Sequence, residues 1–453
     1  MRTTRRSGLA ILTIVMFTVS CATTSWRSMQ PEADPELLHS AVKQLTDVMV
    51  HDIFSPPQAS RGYAYPSIAA YEVLAADNSE YLSLAGQLRG LEPIPTPGDG
   101  ELLRELSAVH AFLNVATAIV FSEDKIISFH SQMLDSFRKA GVSDDVFDRS
   151  VEYGNRVSAH ILSWADADNY RVTRTFAKYS VVEAPGRWIP TPPAYLDGIE
   201  PHWNRIRPFV LTSADQFKPA PPTPFSMEPG SQFYKEANEV YRAGTDLSDE
   251  EAEIAAFWDC NPFVMRTRGH VMFSVKKITP GGHWMGISAI AARLANADLM
   301  TAAETYAVVS IALSDAFISS WDEKYRSTLI RPETVINRHI DPAWMPLLQT
   351  PPFPEYTSGH SVISTAASIV LTGLYGDDFA FDDTTEVEYG LPIRTFTSFK
   401  EAAAEAAISR LYGGIHYMPA ITEGIKQGRD VGNYVLDHVT LRRKPLATSI
   451  RAE

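Results

Sequence analysis

The sequence predicts an all-α protein, a single multi-helix domain over residues 34–440 with an irregular, proline-rich arm at about 169–230. Three observations carry that reading. Apolar residues recur at helical spacing in segments that open on capping residues, as in Leu102, Leu103, Leu106, Val109, Phe112, Leu113, Val115 and Ile119. No pair of alternating strands and no internal repeat is visible. Eleven of the thirty prolines fall between Pro185 and Pro229, where helix and sheet interiors are disfavoured.

In order, Asp34-Pro35 places a capping residue before a proline suited to the first helical turn, and that helix is expected to run to about Asp52. Further helices are expected over Ser67–Ala76, Glu101–Phe121, Ser122–Ala140 and Ser143–Ala167, with Gly141 separating the last two. The arm follows. Its prolines are interleaved with Trp188, Tyr195, Trp203, Phe209 and Phe225, and a disordered linker would be poor in aromatics. It is therefore expected to be ordered and packed across the helices, with Arg207 pinning it through a salt bridge. Helices resume at Ser231–Ala243 and behind the capping box Ser248-Asp249-Glu250-Glu251, which leads to about Trp258. The stretch Cys260–Gly282 lacks clear periodicity. Gly281-Gly282-His283-Trp284 leads a helix to Ala297, and Thr301-Ala302-Ala303-Glu304 caps a long one ending near Lys324. Ser361–Tyr375, Ser398–Leu411 and Pro419–His438 complete the set, followed by a basic tail over 441–453 expected to fray.

The formal net charge is −14 and no basic stripe is present, which argues against nucleic acid as a partner. At the N-terminus, Arg2, Arg5 and Arg6 precede an apolar run from Leu9 to Val19, the pattern of an export signal over residues 1–20. Cys21 follows small residues, so the segment resembles a bacterial lipoprotein signal in which Cys21 is lipidated. Thr18 departs from the leucine usual there, and a plain secretory signal is the alternative. Residues 21–33 read as a tether. The other cysteine, Cys260, sits between Phe257-Trp258 and Pro262-Phe263 and is expected to be a buried, inert thiol. Tyr306–Ile318 is the best internal candidate for a membrane span, but Ser310, Ser314 and Asp315 interrupt it. Contact with a membrane is expected through the N-terminal anchor alone.

Chemistry concentrates in a core at about 300–440, in three segments. In the first, Lys324 and Arg331-Pro332 are separated by six residues. In the second, Ser358-Gly359-His360 opens the helix at Ser361, where free backbone amides and a glycine permit close approach of an anion. In the third, Ser409-Arg410 ends an alanine-rich helix, Gly413-Gly414 stops it, and His416 follows on the loop. One lysine, two arginines, a serine hydroxyl, a glycine amide and two histidines suit a tetrahedral oxyanion.

These ordered spacings resemble the superfamily of vanadium-dependent haloperoxidases and type 2 phosphatidic acid phosphatases, which includes bacterial acid phosphatases. The Trp188-Ile189-Pro190-Thr191-Pro192-Pro193 arm and the Gly281-Gly282-His283-Trp284 segment are similar to the bacterial haloperoxidase-like branch, and Trp321 matches the haloperoxidase side as a possible pocket-lining residue. The resemblance implies that Lys324, Arg331 and Arg410 neutralise the oxyanion's oxygens, that Ser358 and the Gly359 amide hydrogen-bond it, and that His416 bonds its central atom. It implies that His360 is the acid–base residue. With vanadate as cofactor, the substrates would be hydrogen peroxide and a halide. Without it, the chain would be an exported phosphatase acting on a phosphate ester through a phosphohistidine at His416.

One position departs from the pattern. Four residues past the last histidine the superfamily usually carries an aspartate that orients the ring, and here Ala420 stands. Glu423 or a backbone carbonyl are the candidates to replace it. A third reading follows, an oxyanion binder without turnover. His110, His130, His270 and His283 are expected to be packing or hydrogen-bonding residues, the last two with the pocket mouth as an alternative place.

Overall fold

In the computed structural model, which describes residues 34–268 and 270–443, the chain is built of fourteen helices and two short strand pairs. The helices are α1 (Glu36–His51), α2 (Pro56–Ala75), α3 (Arg104–Ile119), α4 (Glu123–Lys139), α5 (Asp144–Asp166) and α6 (Tyr170–Thr173), then, past the arm, α7 (Gln232–Thr245), α8 (Asp249–Phe257), α9 (Pro280–Leu294), α10 (Leu299–Ser327), α11 (Pro332–His339), α12 (Gly359–Tyr375), α13 (Phe399–Tyr412) and α14 (Met418–His438). The export signal, Cys21, the tether and the tail from residue 444 lie outside the described residues. The part of the tail that is described is not frayed: Leu82 donates its amide to the Leu441 carbonyl, and Arg442 pairs with Glu304.

Several expectations need correction. Helix α2 starts eleven residues before the expected Ser67, on a capping box in which Ser55 accepts from the Gln58 amide and Gln58 reaches back, and it runs through Pro66. Almost every residue of α2 is buried, so packing on all sides outweighs the hydrogen bond that Pro66 cannot donate. Helix α11 was not expected, although Pro332 stands at its first turn. The cap of α10 is Asp298, which accepts from the Thr301 amide, rather than Thr301. Two antiparallel pairs were also missed, β1 (Met265–Arg268) with β2 (Val271–Ser274) and β3 (Phe381–Asp383) with β4 (Arg394–Phe396). Strands of three or four residues are too short to show an alternating pattern.

Helix α10 is the spine. By length and hydropathy it alone among the described helices reaches what a bilayer crossing requires, a point the serines and Asp315 had argued against. Within the fold, 94% of that window is buried, so its apolar surface is already covered by protein. Helices α2, α9, α12 and α14 pack on it. Asp315 accepts the successive amides of Phe209, Val210 and Leu211 at 2.7, 2.8 and 2.9 Å, which ties the arm to the spine. Arg207 also pins the arm, though not by the expected salt bridge. It donates to the Trp164 carbonyl and the Tyr65 hydroxyl and lies over the Trp164 ring. Farther upstream, Trp188 donates to the Thr328 carbonyl and Ile330 to the Gly186 carbonyl, so the arm runs beside the strand-like stretch that leads into Arg331.

Helix α14 lies against α12 at backbone distance. Gly424, Gly428 and Gly432 recur every fourth residue along one face, and a Cβ at Gly428 would come within 2.2 Å of the Val362 carbonyl oxygen. This contact sets the start of α12, which carries Ser358-Gly359-His360, against the start of α14, which follows His416.

Candidate active site

Four helix ends meet at one pocket. The C-terminal turn of α10 brings Lys324, the N-cap of α11 brings Arg331, and the last turn of α13 brings Arg410. The N-terminus of α12 contributes Ser358, Gly359 and His360, and the loop between α13 and α14 contributes His416. The structure therefore gathers all seven sequence-expected residues, and Trp321, one turn before Lys324 on α10, lines the same cavity as Gly359, His360, Arg410 and His416.

The cations are fully buried, with exposures of 0% for Lys324 and Arg331 and 1% for Arg410, and among the described residues none of them forms a salt bridge. Lys324 Nζ donates to the carbonyls of Pro354, Glu355 and Thr357. Arg331 donates through Nε to the Phe353 carbonyl and through Nη1 to the Ile415 carbonyl, while its Nη2 is buried without a partner. Arg410 donates to Ser409 Oγ and to the Trp258 carbonyl. Burial pushes the Lys324 ammonium well below its ordinary value, with the Arg331 charge adding to the effect. Unpaired buried cations are costly, and a bound anion relieves that cost.

His416 is held from one side. Its Nδ1 lies 2.8 Å from Glu355 Oε1, which also accepts the Tyr417 amide at 3.0 Å. Nδ1–H donates to the carboxylate, so Nε2 presents its lone pair, 3.2 Å from Arg331 Nη1. Burial, reinforced by Arg331 and Lys324, holds the imidazole well below its ordinary pKa and hence neutral.

Glu355 is the residue the sequence reading missed. Neither proposed substitute for the missing aspartate orients His416: Glu423 pairs with Lys426, and the partner is a carboxylate rather than a backbone carbonyl. Ala420 sits instead in an apolar cluster with Phe233, Tyr356, Tyr417 and Ile421, and its carbonyl accepts the Ser358 amide. A signal was present: Glu355 is a lone acid in Pro351-Pro352-Phe353-Pro354-Glu355, directly before Tyr356-Thr357-Ser358-Gly359-His360. The reason for reading the chain as a binder without turnover was the lack of an orienting carboxylate, and Glu355 removes it.

The remaining groups complete a cradle. Ser358 Oγ caps α12 by accepting from the Ser361 amide, and the first amides of that helix have no intrahelical acceptor. A Cβ on Gly359 would lie 3.8 Å from Trp321 and 4.0 Å from Lys324 Cε, filling the space between helix start and lysine. His360 keeps Nε2 buried without a partner; burial and the Arg410 charge hold it well below its ordinary pKa. Phe353 lies under both Lys324 and Arg331, with its ring 5.0 Å and 4.9 Å from their charged atoms. The orphaned Arg331 Nη2, the unpaired cations and the open space at Gly359 fit a tetrahedral oxyanion such as vanadate.

Three of the histidines expected to be packing or hydrogen-bonding residues have specific partners. His110 Nδ1 lies 2.8 Å from His130 Nε2. His283 is away from the pocket mouth, buried against the ring of Trp258 with Cys260, Asp383 and Glu386 around it.

Residues 304–444 match the family model of the VCPO second helical-bundle domain. The structure of the first bacterial vanadium-dependent iodoperoxidase superposes with a TM-score of 0.87 at 55% sequence identity, covering 91% of this chain and 98% of that one. Holo and apo forms of a bacterial vanadium-dependent chloroperoxidase share the fold, with TM-scores of 0.64 and 0.62 at 16% and 15% identity over 85% and 87% of this chain and 94% and 95% of theirs. No curated protein matches. With more than half of its residues identical to one such enzyme over nearly the full length of both, this chain belongs to the vanadium-dependent haloperoxidases, a family of oxidoreductases.

Proposed function

We propose that the chain uses vanadate and hydrogen peroxide to oxidise iodide, in the balance I⁻ + H2O2 + H⁺ → HOI + H2O. The observation that carries this reading is the gathering of three buried cations, none in a salt bridge among the described residues, around His416, whose Nε2 lone pair faces Arg331 Nη1 at 3.2 Å. Iodide rather than another halide is supported by the relative of 55% identity, described as an iodoperoxidase.

In this reading His416 Nε2 would bind vanadium, and Lys324, Arg331 and Arg410 would neutralise the vanadate oxygens. Ser358 Oγ and the Gly359 amide donate to the same oxygens. Bound vanadate supplies a Lewis-acid centre that makes the peroxide O–O bond open to attack by halide. Glu355 holds the Nδ1 proton of His416 and so keeps Nε2 a lone-pair donor. His360, neutral because of its burial, accepts a proton from incoming peroxide through Nε2 and returns it to the leaving oxygen. Trp321 and Phe353 form the apolar wall on the α10 side of the pocket.

The test is one purified sample divided between two assays. With vanadate and peroxide it is expected to oxidise iodide, and His416→Ala is expected to lose that activity while its melting temperature stays near that of the parent. Hydrolysis of a phosphate ester with no iodide oxidation at any vanadate concentration would overturn the reading in favour of a phosphatase. The proposal also places the protein at the cell envelope, anchored by lipid on Cys21, on the strength of the basic-then-apolar run before that cysteine. Mass analysis of the mature N-terminus checks this: an acylated Cys21 as first residue supports it, and a free N-terminus elsewhere contradicts it.

A further inference from the structure

Beside the pocket, against the ring of Trp258, lies a second group of polar side chains that the proposed reaction does not use; one of them, Cys260, also lines the cavity shared by His360, Arg410 and His416. Cys260 follows α8, His283 stands in the first turn of α9, and Asp383 and Glu386 lie at and just after the end of β3. All four are buried, with exposures of 1, 0, 0 and 5%. His283 Nδ1 is 3.4 Å from Cys260 Sγ and 3.1 Å from Glu386 Oε1, and the sulfur and that oxygen are 3.8 Å apart. On its other side, His283 Nε2 is 2.8 Å from Asp383 Oδ2.

We propose that Cys260, His283 and Glu386 form a buried zinc site. The three ligand atoms make a triangle of the right size. Tetrahedral zinc, with bonds of about 2.3 Å to sulfur and about 2.0 to 2.1 Å to nitrogen and oxygen, spaces its ligand atoms roughly 3.3 to 3.6 Å apart. The observed edges of 3.1, 3.4 and 3.8 Å bracket those values. Without a metal the same edges are hydrogen bonds, with the thiol and Nδ1–H both directed at Glu386 Oε1, and a cation at the centre would take all three atoms in place of those protons.

The fourth residue plays the part expected beside a metal-binding histidine. Asp383 takes the remaining ring N–H, and Asp383 is itself fixed by the amide and hydroxyl of Thr385, at 3.0 and 2.7 Å. A thiolate, an imidazole and a carboxylate favour zinc over magnesium or calcium, which prefer all-oxygen sites. Replacing the imidazole and thiol protons by a dication leaves the buried charge unchanged. The site joins α8, α9 and the β3 loop directly behind Trp258, whose carbonyl accepts from Arg410. Zinc would thus brace, through Cys260, part of the wall that holds Arg410 and His360.

The test uses the full chain, produced with zinc in the medium, purified without chelator or vanadate, and dialysed against buffer. Elemental analysis is expected to find about one zinc per chain, and X-ray absorption at the zinc edge a single sulfur neighbour at about 2.3 Å. Cys260→Ser and Glu386→Gln are each expected to weaken zinc binding by about tenfold or more. Because either variant may fail to fold, the absorption spectrum of the unaltered protein stands as an independent readout. A zinc content below roughly a tenth of an equivalent, a spectrum without sulfur, or folded variants that retain the parent's zinc would each overturn the proposal. None of these readouts depends on vanadate or halide.

Discussion

His416 and His283 are buried to nearly the same degree and are held in the same way, each giving one ring nitrogen to a carboxylate at 2.8 Å. Their second nitrogens face opposite surroundings. Around His416 stand Lys324, Arg331 and Arg410, and burial together with Arg331 keeps the ring well below its ordinary pKa. Around His283 stand a second carboxylate and a thiol. There burial pushes the ring down, but Asp383 and Cys260 outweigh it and hold the pKa well above the ordinary value. The carboxylate that orients an imidazole therefore does not decide what the imidazole binds. The neighbours of the free nitrogen do: cations prepare one ring to sit under an anion, and anions and a thiol prepare the other to sit beside a cation.

The sharpest way to break this comparison is to remove the orienting carboxylate at the first centre. Glu355→Gln is expected to lower vanadate affinity or turnover by about 10- to 100-fold, read as iodide oxidation against vanadate concentration. Asp383→Asn is expected to leave that curve much closer to the parent's. A smaller effect, on stability, follows from moving the carboxylate to the family's usual position. Ala420→Asp puts an unpaired acid into the cluster with Phe233 and Ile421, and is expected to destabilise by about 3 kcal/mol in denaturant melts. A third buried imidazole serves as the control without any carboxylate partner. His39 Nδ1 bonds the Tyr306 hydroxyl, and burial lowers its pKa to about 4. Its folded pKa lies below its unfolded one, so its contribution is complete above about pH 6.5 and is lost as pH falls toward 4, by up to about 3 kcal/mol. His39→Gln is expected to flatten that part of the stability-against-pH curve.

What could be read from the sequence follows from where the determining interactions lie. Ser358-Gly359-His360 and Arg410 were legible at helix ends with local start and stop signals, and Lys324, Arg331 and His416 by their short spacings from neighbouring residues of the same segments. Glu355 was not, because its role depends on an irregular, proline-broken stretch that carries no periodicity. The arm's order was legible from its aromatics, but its anchor was not. Asp315 looked like an interruption of an apolar helix, and only the fold shows it taking three amides of the arm. The start of α2 was hidden for a similar reason: Pro66 suggests a boundary, and burial on all sides overrides it. The cluster at His283 draws on residues 260, 283, 383 and 386, too widely spaced for any motif to show.

The glycine stripe on α14 has a consequence for how the pocket tolerates change. Side chains at a helix interface can repack after a substitution, so the spacing they set is elastic. Gly424, Gly428 and Gly432 bring the α14 backbone against the carbonyl oxygens of Ser358, Val362 and Ala366, and backbone has no rotamers with which to adapt. The interval between the Ser358 turn and the His416 loop is thus gauged by two rigid rods in direct contact. One residue inserted into α14 between Pro419 and Gly424 would turn the stripe by about 100° around the helix axis. A surface of side chains would then face α12, and the helix starts on either side of the pocket would part even though no pocket residue had been altered.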